Sequence, residues 1–171
     1  MHRFMPSVVP LVRSTIAAGL LIAGTATALA AQSMSTDAGK KTAMAALTWG
    51  PAPAVFPAGA RMAVVSGDPS QAAPFVVRLQ FPNGYRIPPH FHPTDEKVMV
   101  RTGQFIVGMG DTIMVAKGNR MRPGKSGTIA ANMHHWAVAR GKTTVQVSAV
   151  GPFQMTYVNA SDDPQKSTGM K

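Results

Sequence analysis

The chain has 171 residues, 45% of them hydrophobic, and sets 17 Lys and Arg against 7 Asp and Glu for a net charge of +10. That length supports one domain with a real core and is too short for two comfortable ones. The absence of cysteine excludes disulfides and a lipid-modified N-terminal cysteine.

In chain order, residues 1–30 differ in kind from the rest. Arg3 and Arg13 precede the apolar run Ile16-Ala-Ala-Gly-Leu-Leu-Ile-Ala-Gly, and the small triplet Ala28-Leu29-Ala30 follows. This is the order of a secretory signal peptide, with cleavage expected after Ala30. An uncleaved anchor helix is the alternative, but the run to Ala30 holds two Thr and two Gly and falls short of the ~20 apolar residues that a spanning helix needs. A periplasmic or secreted protein without a membrane anchor is therefore expected. The mature chain would keep 15 basic and 7 acidic residues, net +8. These charges are dispersed or loosely grouped, as in Lys117, Arg120, Arg122 and Lys125, so a solvated basic surface is expected rather than a nucleic-acid interface. Its field would favour anionic molecules or a membrane face.

Residues 31–48 are small and polar and read as a flexible lead-in. Three prolines between Trp49 and Gly59 argue for an extended, edge-like segment. Short apolar runs then follow, separated by Gly, Pro, Asn and Asp: Arg61–Ser66, Phe75–Phe81, Lys97–Arg101, Phe105–Met109, Thr128–Ala131, Trp136–Ala139, Thr143–Val150 and Phe153–Val158. Alternation is clear in Phe105-Ile-Val-Gly-Met and Val145-Gln-Val-Ser-Ala, as in half-buried strands. No stretch after residue 50 sustains a helical period for three turns, so an all-β sandwich or barrel is expected, with a polar, frayed tail after Val158.

The chemistry concentrates at two places. Of five histidines, His2 lies in the leader, and the others fall in the pairs His90/His92 and His134/His135; Glu96 is the sole glutamate. On an extended segment His90 and His92 face the same way, and the turn Pro93-Thr94-Asp95 would bring Glu96 to the same point at the start of the next strand. Imidazoles with a carboxylate suit a divalent transition metal.

The stretch Gly84-YRIPP-His90-Phe-His92-PTD-Glu96-KVMVRT-Gly103 resembles the first motif of the cupin family at every fixed position. The second motif is similar only in part. Gly124 and His135 are kept, while Ala130, Asn132 and Ala139 replace its Pro, Gly and Asn. Asn is the best substitute for Gly in a left-handed backbone position. More widely, residues 49–164 are similar to small exported bacterial single-domain cupins, through WGPAP, GYRIPPHFHPTDE, MHHW and the YVN and DDP of the tail.

The resemblance implies a double-stranded β-helix, or jelly-roll, barrel, with residues 165–171 as a polar tail. It implies His90, His92, Glu96 and His135 as ligands of Fe, Mn, Ni or Zn, with Glu96 as the catalytic carboxylate. An octahedral ion with four protein ligands keeps two positions for a chelating substrate, or for a substrate oxygen and dioxygen. The implied activities run from dioxygenases to isomerases, decarboxylases and non-enzymatic binders. Because the motifs hold no further acid or base, a metal-dependent, dioxygenase-like enzyme acting on a small polar or anionic molecule is the first expectation, and a binding or sensing cupin the second. A homodimer through a sheet edge is also implied. Arg78, Tyr85 and Arg86 are candidate substrate anchors. Trp136, Met99, Phe105, Val107 and Met109 are candidate pocket walls or ordinary core. His134 is expected at the surface or behind the ligands, Asp95 in a turn or beside Lys97, and Phe91 in the opposite layer. The twelve methionines are spread singly, as core filling rather than as a copper motif.

Overall fold

A computed structural model of the chain describes residues 47–167, within the compact unit Ala43–Lys171. The leader, nearly all of the lead-in and residues 168–171 lie outside the described residues.

Among the described residues there are nine strands: β1 (Gly50–Pro51), β2 (Arg61–Ser66), β3 (Pro74–Phe81), β4 (Arg86–Phe91), β5 (Glu96–Met109), β6 (Asn119–Met121), β7 (Ser126–Ile129), β8 (His135–Val150) and β9 (Thr156–Tyr157). A 3-10 turn covers Val115–Lys117, another Ala160–Asp162, and the single helical turn α1 spans Pro164–Ser167. Every strand pairing is antiparallel. The order runs β1-β2-β3-β8-β4-β9, while β5 pairs with β6, β7 and β8. This is the expected all-β jelly-roll architecture, a curled sheet closed on its own apolar face.

Two long strands close it. Lys97–Arg101 and Phe105–Met109 were expected as separate strands, as were Trp136–Ala139 and Thr143–Val150, and each pair is in fact one continuous strand. The intervening glycines bend the ladder without ending it. Gly103 and Gly141 take φ of 75° and 70°, a region open to glycine, and the β5–β8 register shifts between Val100 and Gln104. At this kink the buried Thr143 hydroxyl lies 3.1 to 3.2 Å from the carbonyls of Gln104, Arg140 and Gly141, one of which takes its hydrogen. Beyond the bend β8 changes partners: residues 143–150 pair with β3, and residues 135–138 with β4.

Alternation fills the interior. Phe75, Val77, Leu79 and Phe81 of β3 face inward with Val145 and Val147 of β8, Val98, Val100 and Phe105 of β5, and Ile87 of β4. Phe81 stacks between Tyr85 and Phe105, with ring centroids 4.9 and 5.6 Å away. Burial of each such side chain stabilises by roughly 1.5–3 kcal/mol. On the other face of β5 and β8, Ile106, Trp136 and Val138 form a second cluster beneath Ile113 and Val115.

Of the tail after Val158, residues 159–167 hold more regular structure than expected. Asn159 accepts the amide of Ser161, the Val158 amide bonds the Pro89 carbonyl, and the Tyr157 hydroxyl donates to the Val55 carbonyl at 2.7 Å. The last two tie Tyr157 and Val158 to the segment before β2 and to β4. Among the described residues no helix is long and apolar enough to cross a membrane.

Candidate metal centre

Local chemistry at β4 sets the first two histidines. Pro88 and Pro89 lack amide hydrogens, so the β4–β8 ladder is irregular between Ile87 and His90. The freed carbonyls have other partners. Pro89 accepts Val158, and Pro88 accepts Nδ1 of His90 at 2.7 Å. His92, two residues on, points to the same side, with Nδ1 2.6 Å from the Gln154 carbonyl. His135 opens β8 directly across from His90, and its Nδ1 lies 3.0 Å from the Met133 carbonyl. Glu96 opens β5.

The turn that delivers His135 keeps the geometry expected of a glycine despite the altered motif. Asn132 has φ of 61°, donates its amide to the His92 carbonyl at 2.7 Å, and is the sole non-glycine with positive φ among the described residues. Ala139, where the motif has Asn, is fully buried and exchanges backbone bonds with Gly84 and Tyr85. Asp95 has a role that sequence reasoning missed: its Oδ1 accepts the Ala131 amide at 2.8 Å, joining the turn before Glu96 to the turn before His135.

Four side chains thus converge. His90, His92 and His135 are all buried, with ring nitrogens within 4.8 Å of one another. Glu96 Oε2 lies 3.7 Å from His92 Nε2 and 3.5 Å from His135 Nε2. A carbonyl only accepts, so each Nδ1 must carry its ring's hydrogen, which leaves three bare Nε2 lone pairs in the neutral rings. Nε2 of His92 is buried with no hydrogen-bond partner. Three lone pairs facing a carboxylate in a buried place repel one another unless a cation lies among them. The donor set therefore fits a divalent metal, and the three carbonyls orient the rings as backing partners do in metal sites.

The electrostatics agree. Burial, reinforced by His135 and His92, pushes the His90 ring down from 6.5 to about 3, so it stays neutral as a ligand must. Burial would raise the Glu96 carboxyl, but the imidazoles facing it, His135 foremost and then His92 and His90, outweigh this and hold it below its usual value.

The cavity around these four is apolar and small, about 20 Å³, with Ile87, Val98, Phe105, Val107 and Ile129 among its walls. That is room for an ion and about one water. Phe105 and Val107 thus stand where a pocket wall was expected. Other expected neighbours lie elsewhere. Arg78 sits on the outward phase of β3 and donates to Gln146 at 3.4 Å. Met99 is likewise out of phase with Val98 and Val100, beside Arg101. Trp136 belongs to the second cluster, packed so closely on Gly108 that a Cβ there would lie 2.0 Å from its ring. Tyr85 is core: its hydroxyl donates to the Pro57 carbonyl, and burial pushes its pKa up. Arg86 and Met109 are exposed. The physical reason is the period of two, since each of Arg78, Met99 and Trp136 is one residue out of phase with an inward neighbour. His134 lies at the surface, bonded to Asp111 at 2.6 Å and stacked on Phe91. Sequence reasoning also missed Phe56 and Met155, which line the cavity from outside the motifs.

No family model matches the chain, and no curated protein matches it in sequence. Solved structures do. The polyketide cyclase RemF from Streptomyces resistomycificus matches with a TM-score of 0.50 at 19% identity, over 65% of this chain and 79% of that one. An RmlC-like cupin from Shewanella frigidimarina NCIMB 400 matches at 0.47 and 17% identity, over 56% of this chain and 78% of that one. An oxalate oxidase matches at 0.49 and 20% identity over 64% of this chain, which spans only 60% of the oxidase chain. The chain has an all-β fold of the cupin-barrel type. In this fold the segment that resembles the second motif only in part still brings His135 to the other three side chains.

Proposed function

We propose that this protein is a cupin metalloenzyme, oxygenase-like, that holds a divalent transition metal through His90, His92, Glu96 and His135 and acts on a small molecule bearing a polar or anionic head. One observation carries the reading: three Nδ1 hydrogens are committed to the backbone carbonyls of Pro88, Gln154 and Met133, so three Nε2 lone pairs meet the Glu96 carboxylate. A bound ion would supply Lewis acidity and, if Fe or Mn, redox chemistry with dioxygen. The chain's own contribution is orientation and exclusion. Fixed tautomers hold the rings without reorganisation, Glu96 offsets the ion's charge, and the apolar walls keep bulk water away.

A second reading, a binding or sensing cupin without turnover, is favoured by a specific observation. Apart from the four converging residues, no ionisable side chain lines the cavity, so no separate group stands ready to carry a proton. Export to the periplasm belongs to the proposal and is supported by the composition of residues 1–30. A homodimer belongs to it through the cupin resemblance alone.

Elemental analysis of wild type beside Glu96→Ala and His135→Ala tests the reading. Stoichiometric Fe, Mn or Ni in wild type, lost in both variants, is the expected result, with oxygen uptake on small acids as the next measurement. Zinc would favour the binding cupin, and a wild type without metal would overturn the enzymatic reading.

A further inference from the structure

Beside the metal centre lies a second, larger chamber of about 270 Å³. Its walls are Val55, Phe56, Met62, Val77 and the rings of Phe75 and Phe153, and no charged side chain lines it. Ser70 stands exposed at its rim. The two chambers share walls: Phe56 and Leu79 line both. Phe153 stacks on Phe56 at 5.9 Å and 10°, meets Phe75 edge-on at 6.3 Å, and lies 5.6 Å from the His92 ring. A small third cleft, bordered by Phe75, Phe153, His92 and Glu96, joins the same partition from the side. Phe56 and Leu79, with Phe153 stacked on Phe56 beside His92, therefore separate the apolar chamber from the four converging ligands.

We infer that this chamber holds the body of the substrate, a single aromatic ring, while its polar head reaches the metal past Phe153. The inference rests on the metal reading above for the head, but not for the ring. Size and chemistry select the occupant. An apolar cavity of about 150 Å³ suffices for benzene, so this chamber takes one substituted ring and little more. Three phenylalanines offer both faces and edges to it, the arrangement aromatic pairs prefer. A charged body would lose its hydration there with no partner in return. Phe153 is well suited to move: it is half-buried, and it follows Gly151-Pro152 on the segment whose next carbonyl, at Gln154, orients His92. Passage of a head group is thereby coupled to the ligand set.

The probe is para-fluorobenzoate, followed by fluorine NMR on the mature protein, metal-free and loaded with Mn(II). Saturable binding to both forms is expected, weakened at least ~tenfold by Met62→Trp, which fills the chamber, with Mn(II) uptake unchanged. Val77→Phe fills it from the neighbouring strand β3 and serves if the first variant fails to fold. In the loaded protein, fluorine relaxation should accelerate, and Phe153→Ala should accelerate it further by opening the partition. Equal affinity in wild type and both filled variants would overturn the inference. So would no binding to wild type, whether the chamber then holds nothing, a segment of this chain or a second copy. Binding that Met62→Trp abolishes, in a protein that takes up no Mn(II), would retire the metal reading and leave the ring chamber standing.

Discussion

His90 carries an acid signature. Its ring is neutral down to about 3 in the folded chain, whereas the unfolded chain protonates near 6.5. Between those values the unfolded state binds the extra proton, so stability is complete above about 6.5 and is lost as pH falls towards 3. The lowered carboxyl of Glu96 adds to the loss at the acidic end. Melting of the metal-free protein, followed from neutral pH downwards, should show this decline, and His90→Gln should flatten its upper part. A wild-type profile already flat there would mean that the folded ring is charged. Asp95 makes a second case. Asp95→Ala should cost about 1 kcal/mol and weaken metal binding several-fold by freeing the Ala131 amide, while Asp95→Asn keeps the acceptor and most of the affinity. Equal metal affinity in both variants would assign Asp95 to the surface. The identities of the converging four were readable because they are the chain's sole glutamate and three of its few histidines. What holds them was not, since the carbonyls of Pro88, Gln154 and Met133 are main-chain groups that no residue type announces.

At the scale of elements, the glycines at 103 and 141 decide how long a strand is. Read from sequence they are breaks; in the fold they are bends, because the ladder resumes on either side with new partners. The polar run at residues 102–104 and 140–142 sits where both strands leave the core, so a hydropathy pattern loses the strand there although the backbone keeps it. β6 was missed for a related reason: Asn119-Arg-Met has one buried side chain and is a strand only by pairing with Phe105–Val107. Gly103→Ala puts a Cβ 2.5 Å from the Thr143 hydroxyl and 2.6 Å from the Lys142 carbonyl, at a φ that alanine resists. It should lower stability by about 1–3 kcal/mol in denaturant melts, without changing the metal that is bound. A variant as stable as wild type would show that the kink relaxes freely.

For the whole molecule, a metal bound only by the folded state adds to its stability by mass action. At a hundredfold excess over Kd the gain is about 2.7 kcal/mol, roughly 10 °C in Tm for a domain of this size. Chelation should remove that increment from wild type and leave His135→Ala unmoved; an equal response in both would place the stabilising ion elsewhere. The all-β class followed from short alternating runs between turn residues, and the cupin likeness from one motif in full register. Closure of the sheet depends instead on contacts between distant stretches, such as Tyr157 with Val55 and His90, which no local pattern specifies.

Those contacts also set an order in time. His90, His92 and Glu96 emerge from synthesis about forty residues before His135, and the Gln154 carbonyl and Tyr157 emerge last. Until that final stretch is in place, the His92 imidazole is free to carry its hydrogen on either nitrogen and would take whichever ion binds imidazole most strongly. If these side chains hold a metal, as proposed above, selective loading would wait for the C-terminal strand, and the metal pool that matters would be the one present where folding finishes.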